Sequence, residues 1–329
     1  MSKLQILIPQ YNEDDKKIKP LLDSIEMQKN VNFKKDLEVC IGNDGSDVKL
    51  SIDFLKTYTF PIQYHYFEHT GLAGTRKQLF DISSGDYVMF CDADDMFISS
   101  IALSIILQQI KDGFDALICD FMEEHILEND NAIYIPREDD SIFVHGKIYR
   151  REFLLENKIE WHPELREHQD SAFNVLAKTC AKKMLRIQIP IYMWHDNCDS
   201  ISRKNKEYHS VNTWCAMIDS YNALIEDLKN RGYGAQAIYY AKYCLYATYF
   251  EMSHEIWKRE NVQEKKANTL NYLAKFYFKH ELLINHCSQE VTEKIINITK
   301  EIAERRGILT AMSPFEEWLN GIKIIFKEK

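Results

Sequence analysis

Asp86-Tyr-Val-Met-Phe-Cys-Asp92-Ala-Asp94-Asp95 is an apolar run that ends in three carboxylates within four positions. Read as a strand, its side chains alternate faces, so Asp92 and Asp94 point the same way. Ionised carboxylates held that close repel one another unless a cation neutralises them. An all-oxygen ligand set suits Mg²⁺ or Mn²⁺, which take one or two carboxylates and complete their shell with phosphate and water. Acidic turns after strands also serve as plain solvated caps, so the cluster gains meaning only from what surrounds it.

Working outward, the first 120 residues alternate short apolar strands with helical patterns, the signature of a parallel sheet covered by helices. Leu4 to Pro9 reads as a strand, followed by Ile18, Leu21, Leu22 and Ile25 at helical spacing. Leu37 to Gly42 is a second strand leading into Asn43-Asp44-Gly45-Ser46, and Pro61 to Phe67 a third. The third strand leads to a Gly71-Leu-Ala-Gly74 turn and a helix over Thr75 to Ile82; Tyr87 to Cys91 is the fourth strand. In such sheets ligands bind beyond the carboxyl ends of the strands. Tyr11, Asn12, Asp44 and Asp92 to Asp95 all follow strand ends, and are expected to converge on one crevice.

Residues 115–204 carry weaker periods: a strand at Ala116 to Asp120, the segment His145-Gly-Lys-Ile-Tyr-Arg150, and a helix near Ser171 to Lys178. From about residue 205 the chain turns to long Tyr- and Lys-rich helical patterns. Tyr239, Tyr240, Tyr243, Tyr246 and Tyr249 read as the core of a helical bundle, with a sugar-stacking platform as the sharper alternative. Phe315, Trp318, Leu319, Ile322, Ile325 and Phe326 fall on one helical face, which packs on the domain, on a second copy of the chain or on a membrane surface.

The 329 residues are 45% hydrophobic and 28% charged, ordinary for a globular chain. A formal net charge of −9 argues against a general nucleic-acid binder. The eight cysteines form no C-x-x-C pair, which disfavours structural zinc and fits reduced thiols in the cytoplasm. The apolar run at the N-terminus stops at Pro9, too short for a signal peptide, and no stretch is long and apolar enough to span a membrane. A cytoplasmic protein is therefore expected, with peripheral contact at the inner face of the membrane as the one membrane option.

Several segments, taken in order, resemble a family 2 glycosyltransferase of GT-A fold. They are Ile8-Pro9-Gln-Tyr11-Asn12-Glu13; Ile41-Gly-Asn43-Asp44-Gly45-Ser46; Gly71-Leu-Ala-Gly-Thr-Arg76 through Ser84 to Asp95; and Gly146-Lys-Ile-Tyr149-Arg150-Arg151 followed by Gln169-Asp170 and Asp199 to Arg203. The resemblance implies an α/β Rossmann-like fold with a mostly parallel central sheet over residues 1–204, with a nucleotide-sugar half (about 1–115) and an acceptor half (116–204). An all-α region, 205–329, follows. It implies a hexosyltransferase-type enzyme that moves a single sugar, with inversion, from a nucleotide-sugar, most often a UDP-sugar, to a glycan, lipid-linked or protein hydroxyl.

By the same resemblance Pro9, Tyr11, Asn12, Asp44, Arg76, Asp92, Asp95 and Arg203 bind the nucleotide-sugar. Asp94, with Asp92 and His195, holds Mn²⁺ or Mg²⁺, and Asp170 is the general base. Asp170 equally reads as a helix N-cap before Ser171. The chain departs from the family pattern at Asn43, which replaces an acid, at Asp47, which follows Ser46 without the usual intervening residue, at Lys77, and at Gln169, which leaves Asp170 as the sole acid of its motif. Transmembrane helices and a Q-x-x-R-W segment, expected of processive synthases, are absent, as are a G-x-G-x-x-G and a P-loop. A non-catalytic nucleotide-sugar-binding or scaffold protein is the competing reading.

Overall fold

The computed structural model describes residues 3–127, 130–140, 142–197, 208–309 and 312–327. Strands β1 (Leu4–Gln10), β2 (Leu37–Asp44), β3 (Ile62–Phe67) and β4 (Tyr87–Phe90) pair in parallel, β1 lying between β2 and β4 and β3 outside β2. Every residue of β1, β2 and β4 is buried, as expected of strands covered on both faces. Helices α1 (Asp15–Glu26), α2 (Phe33–Asp36), α3 (Ile52–Leu55), α4 (Gly71–Ile82) and α5 (Ala102–Asp112) supply the cover. Asp14 caps α1 by accepting hydrogen bonds from the Lys16 and Lys17 amides, and Ile18, Leu21, Leu22 and Ile25 then enter the core.

Beyond β4 the sheet becomes mixed. Strands β5 (Met96–Phe97), β6 (Ala116–Ile126), β7 (Ala132–Arg137), β8 (Lys147–Arg150) and β9 (Met184–Trp194) complete the order β3-β2-β1-β4-β8-β6-β9-β5, with β7 beside β6. β8 runs antiparallel to β4 and β6, whereas β9 is parallel to β6 with register shifts around Asp120 that bend the pair. Two more helices, α6 (Arg151–Glu156) and α7 (Gln169–Cys180), belong to this half.

Differences from the sequence reading have local causes. The Gly71-Leu-Ala-Gly74 segment is the first turn of α4 and not a separate turn, because its free amides are capped from another strand. β4 stops at Phe90, and β6 runs on to Ile126 because β7 and β9 flank it there.

The chain divides into compact units at residues 1–200 and 201–329. The second unit contains α8 (His209–Asn230), α9 (Gly234–Glu251), α10 (Gln263–His286), α11 (Gln289–Arg305) and α12 (Phe315–Lys327). Tyr246 and Phe250 join Ile295, Ala303 and Ile308 in an apolar cluster against which Tyr239, Tyr243 and Tyr249 pack. The α12 face is turned onto that unit: Phe315 stacks on Tyr246 at 4.1 Å, Trp318 meets Tyr249 at 5.2 Å, and Leu319 and Ile322 are buried. No described helix is long and apolar enough to cross a membrane.

Candidate active site

The carboxyl ends of β1 and β2 are tied together by polar side chains. Asn43 Nδ2 donates to Gln10 Oε1 at 2.7 Å, while Asn43 Oδ1 accepts from the Ser46 amide at 2.9 Å. An aspartate lacks the donor for the first of these bonds, which accounts for the Asn. Ser46 Oγ in turn accepts from the Asn12 amide and donates to Asn12 Oδ1, both at 2.9 Å, holding Asn12 at φ +66°. Pro9 is buried within β1, and Tyr11 is exposed at the mouth.

Asp44 is 3% exposed, and its carboxylate faces protein donors. The Thr70 and Gly71 amides donate to its two oxygens at 2.7 and 3.0 Å, so it caps α4 from a distance in sequence.

The acidic cluster is not a continued strand. Asp95 N donates to Asp92 O at 3.3 Å, closing a turn, so side-chain alternation ends at Phe90. Among the described residues, Asp92, Asp95 and His145 each offer a ligand atom, all within 4.8 Å of one another. Asp94 lies beside this group and accepts from Asn197 Nδ2 at 2.7 Å; burial raises its pKa, opposed by that bond. Asp95 is fully buried, which lifts its pKa well above the carboxylate range, with the charges of Asp94 and Asp92 adding to the effect. Its Oδ1 accepts from the His195 amide at 3.0 Å, while Oδ2 has no hydrogen-bond partner among the described residues. The His195 ring turns away, placing Nδ1 2.8 Å from Glu124 Oε2.

His145 is equally buried, held among Phe121, Phe143, Tyr192 and Trp194, and burial pushes its pKa down to about 3. Its Nδ1 stands 3.6 Å from Asp95 Oδ2.

Arg76 joins the acidic turn to the start of α7. Nη2 donates to Asp92 Oδ1 at 2.6 Å and Nη1 to Asp170 Oδ1 at 3.2 Å, with the guanidinium 4.9 Å from the Trp161 ring centroid. The side chain is 1% exposed, so Arg76 lies beneath the crevice wall and not on it. Burial alone disfavours its charge, but Asp92 and Asp170 more than offset this and raise its pKa. Asp170 is not the N-cap of α7: that position is His168, and Asp170 instead reaches Arg76 and, through Oδ2, the Val144 amide at 3.3 Å. Lys147, buried nearby, has its pKa lowered to about 8 by desolvation, partly countered by Asp140 and Asp170.

Comparison with known proteins bears on the family and the fold. Residues 5–164 match glycosyl transferase family 2. Those residues belong to that family. The chain is 22% identical over 287 residues to an uncharacterized glycosyltransferase, YibD, of Escherichia coli K12, covering 79% of this chain and 81% of that one. It is 26% identical over 196 residues to the poly(ribitol-phosphate) beta-glucosyltransferase of Bacillus spizizenii W23, covering 55% of this chain and 30% of the other. A crystal structure of S. aureus TarS in complex with UDP superposes with a TM-score of 0.59 at 18% identity, covering 95% and 94% of the two chains. The fold of this family 2 glycosyltransferase is thus GT-A, a mixed sheet with flanking helices followed by a helical region.

In this glycosyltransferase the structure brings Pro9, Tyr11, Asn12 and Asp44 to one part of the carboxyl edge, and Arg76, Asp92, Asp94, Asp95 and Asp170 to another. Arg203 lies outside the described residues. Sequence reading missed His145, whose partners come from β6 and β9, and Trp161, which stacks on Phe173 at 4.1 Å and supports Arg76. It also missed Glu13, whose pKa burial raises to about 7 and whose Oε2 accepts from the Tyr11 amide at 2.6 Å. No spacing signal marks these three.

Proposed function

We propose that this glycosyltransferase moves a single sugar, with inversion, from a UDP-sugar to an acceptor hydroxyl, with Asp170 as general base. The observation that carries the reading is the single guanidinium of Arg76 holding both Asp92, on the acidic turn, and Asp170, at the start of α7. A base and a donor-side carboxylate fixed to one planar group keep a constant separation. That is what an in-line displacement requires.

Asp170 uses two acceptor positions on Arg76 and Val144, leaving lone pairs for a substrate hydroxyl. In the step, Asp170 takes the hydroxyl proton as the acceptor oxygen bonds to the anomeric carbon. The bond from that carbon to the diphosphate oxygen breaks, and its electron pair leaves with the nucleoside diphosphate. Such base catalysis is worth about 10²- to 10⁴-fold.

The donor set fits a divalent cation, because the unpartnered buried Asp95 Oδ2 and His145 Nδ1 face each other beside Asp92. Asp92, Asp95 and His145, or Asp94 in place of the histidine, would hold it, and of the two oxygen-seeking ions an imidazole in the set favours Mn²⁺ over Mg²⁺. When bound, such an ion supplies Lewis-acid stabilisation of the charge gathering on the leaving diphosphate.

Tyr11, Asn12 and Asp44 would form the nucleotide end, a reading supported by the UDP carried by the structurally similar TarS. The acceptor is a hydroxyl on a glycan, lipid-linked or protein substrate; the poly(ribitol-phosphate) in the Bacillus relative's name is a further hydroxyl-bearing polymer, of polyol phosphate. Residues 1–204 act as the catalytic domain and 205–329 as a separate helical domain, which the unit boundary at 200 supports.

The test is thermal unfolding with a panel of nucleotide-sugars and Mn²⁺. The true donor at about 100 times its Kd stabilises by about 2.7 kcal/mol. No shift with any nucleotide-sugar would count against the reading.

A further inference from the structure

We propose that His69 reads the nucleobase of the donor, acting for Asp44, and selects bases that present a ring N–H. The inference rests on reading the crevice as a nucleotide-sugar site and names a residue that none of the family-like motifs contains. His69 sits in the link between β3 and α4, and its ring lies beside Tyr11 with centroids 4.8 Å apart and planes 30° from parallel. Both side chains are open to solvent, Tyr11 at 49% and His69 at 58% exposure. An exposed aromatic pair at the carboxyl edge of parallel strands offers stacking surface to a flat heterocycle.

The orientation of the imidazole is fixed from behind. Nδ1 lies 3.0 Å from the Asp44 carbonyl oxygen and 2.9 Å from Asp44 Oδ2, both acceptors, so Nδ1 carries the hydrogen. Nε2 of the neutral ring is then a lone-pair acceptor on the side away from Asp44. Asp44 itself is buried and already caps Thr70 and Gly71, so its influence reaches the crevice through the ring it orients. This is the logic by which a carboxylate fixes the tautomer of a ligand histidine.

The backing is tight. Gly45 has φ +66°, and a Cβ there would stand 2.8 Å from the His69 backbone nitrogen and 3.0 Å from its Cβ. The turn after β2 thus requires glycine twice over, and its backbone lies close against His69.

A fixed acceptor beside a stacking face selects chemistry. Uracil and guanine carry a ring N–H on their pairing edge, whereas adenine and cytosine present a ring lone pair there, which Nε2 repels. A site built to accept an N–H discriminates strongly against analogues that lack it.

The experiment is calorimetric titration of the full chain, in Mn²⁺, with UDP, GDP, ADP, CDP and the diphosphate of 3-methyluridine. Wild type is expected to bind UDP or GDP at least about tenfold more tightly than ADP and CDP, the UDP and GDP arms identifying the base. If uracil is the base, 3-methylation costs at least about tenfold. His69→Phe keeps the ring and loses the acceptor, and because the site is exposed the fold is retained. It is expected to bind UDP and the 3-methyl compound with equal affinity, or, for guanine, to lose the preference for GDP over ADP. Undiminished discrimination by His69→Phe, or wild-type preference for ADP or CDP, overturns the role of His69 while leaving a nucleotide site in place. Binding of none of the nucleotides overturns the donor-site reading as well.

Discussion

Arg76 Nη1 stands 3.2 Å from Asp170 Oδ1 across 94 positions of sequence. The guanidinium is buried, so its two carboxylate partners are not a surface ornament. Without it, two anions would face each other in low dielectric, and without either anion a buried cation would lose its counter-charge.

Arg76→Met is therefore expected to destabilise the chain by about 3–5 kcal/mol, measured by urea denaturation. Arg76→Lys keeps the charge but cannot serve two carboxylates from a planar fork. It is expected to fold, to bind UDP within about threefold of wild type, and to lose at least about tenfold in kcat. Normal turnover by the lysine variant would refute the idea that one planar group must hold both acids.

Asp170→Asn removes the proton acceptor and one of the two counter-charges of Arg76, so a loss of stability accompanies it while Asp92 still pairs the guanidinium. Transfer is expected to fall at least about a hundredfold while the Kd for UDP stays nearly unchanged, the pattern of a group used only in the transition state. Single-turnover kinetics beside calorimetry reads both quantities, and a variant with full transfer would reduce Asp170 to a structural partner of Arg76.

Chelation is expected to abolish transfer, with activity restored by Mn²⁺ or Mg²⁺. Paramagnetic titration of Mn²⁺ locates the ligands: His145→Asn should weaken the metal more than His195→Asn, because the His195 ring faces Glu124. The opposite ranking would move the ion toward Asp94 and His195.

In the helical unit, His280 is 1% exposed, and its Nε2 donates to Asn222 Oδ1 at 2.8 Å. Burial lowers its pKa to about 4, reinforced by the charge of Lys279, so the folded state holds it neutral. The unfolded chain takes up a proton near pH 6.5, and the contribution is complete above that value and lost as pH falls toward 4. Denaturation at pH 7.5 and 5.0 should show a smaller loss for His280→Gln, which retains a donor for Asn222, than for wild type.

Strand positions were legible because β1, β2 and β4 are buried on both faces and read as apolar runs that only Gln5 and Glu38, near the strand starts, and polar residues at the ends interrupt. The ends of those strands were harder to read. The start of α4 looked like a glycine turn because its cap, Asp44, arrives from β2, and the Asp92–Asp95 turn looked like strand because the residues that close it alternate innocently. Asp170 and Arg76 could each be singled out from a motif, yet their pairing could not, since nothing in a sequence states that an arginine is buried against a given carboxylate. His69 and His145 lie in stretches without periodicity, and only the fold brings them to Asp44 and Asp95.

The acidic turn draws two of its hydrogen bonds from far downstream: Tyr192 Oη accepts from the Asp92 amide at 3.0 Å, and the His195 amide donates to Asp95 Oδ1 at 3.0 Å, each across 100 positions. A nascent chain that has left the ribosome only as far as α7 can assemble β1 to β4 but not this turn. Contacts of such long sequence separation form late. During synthesis the acidic turn of the candidate site is therefore among the last parts of the unit to mature, and the strand that completes it is β9.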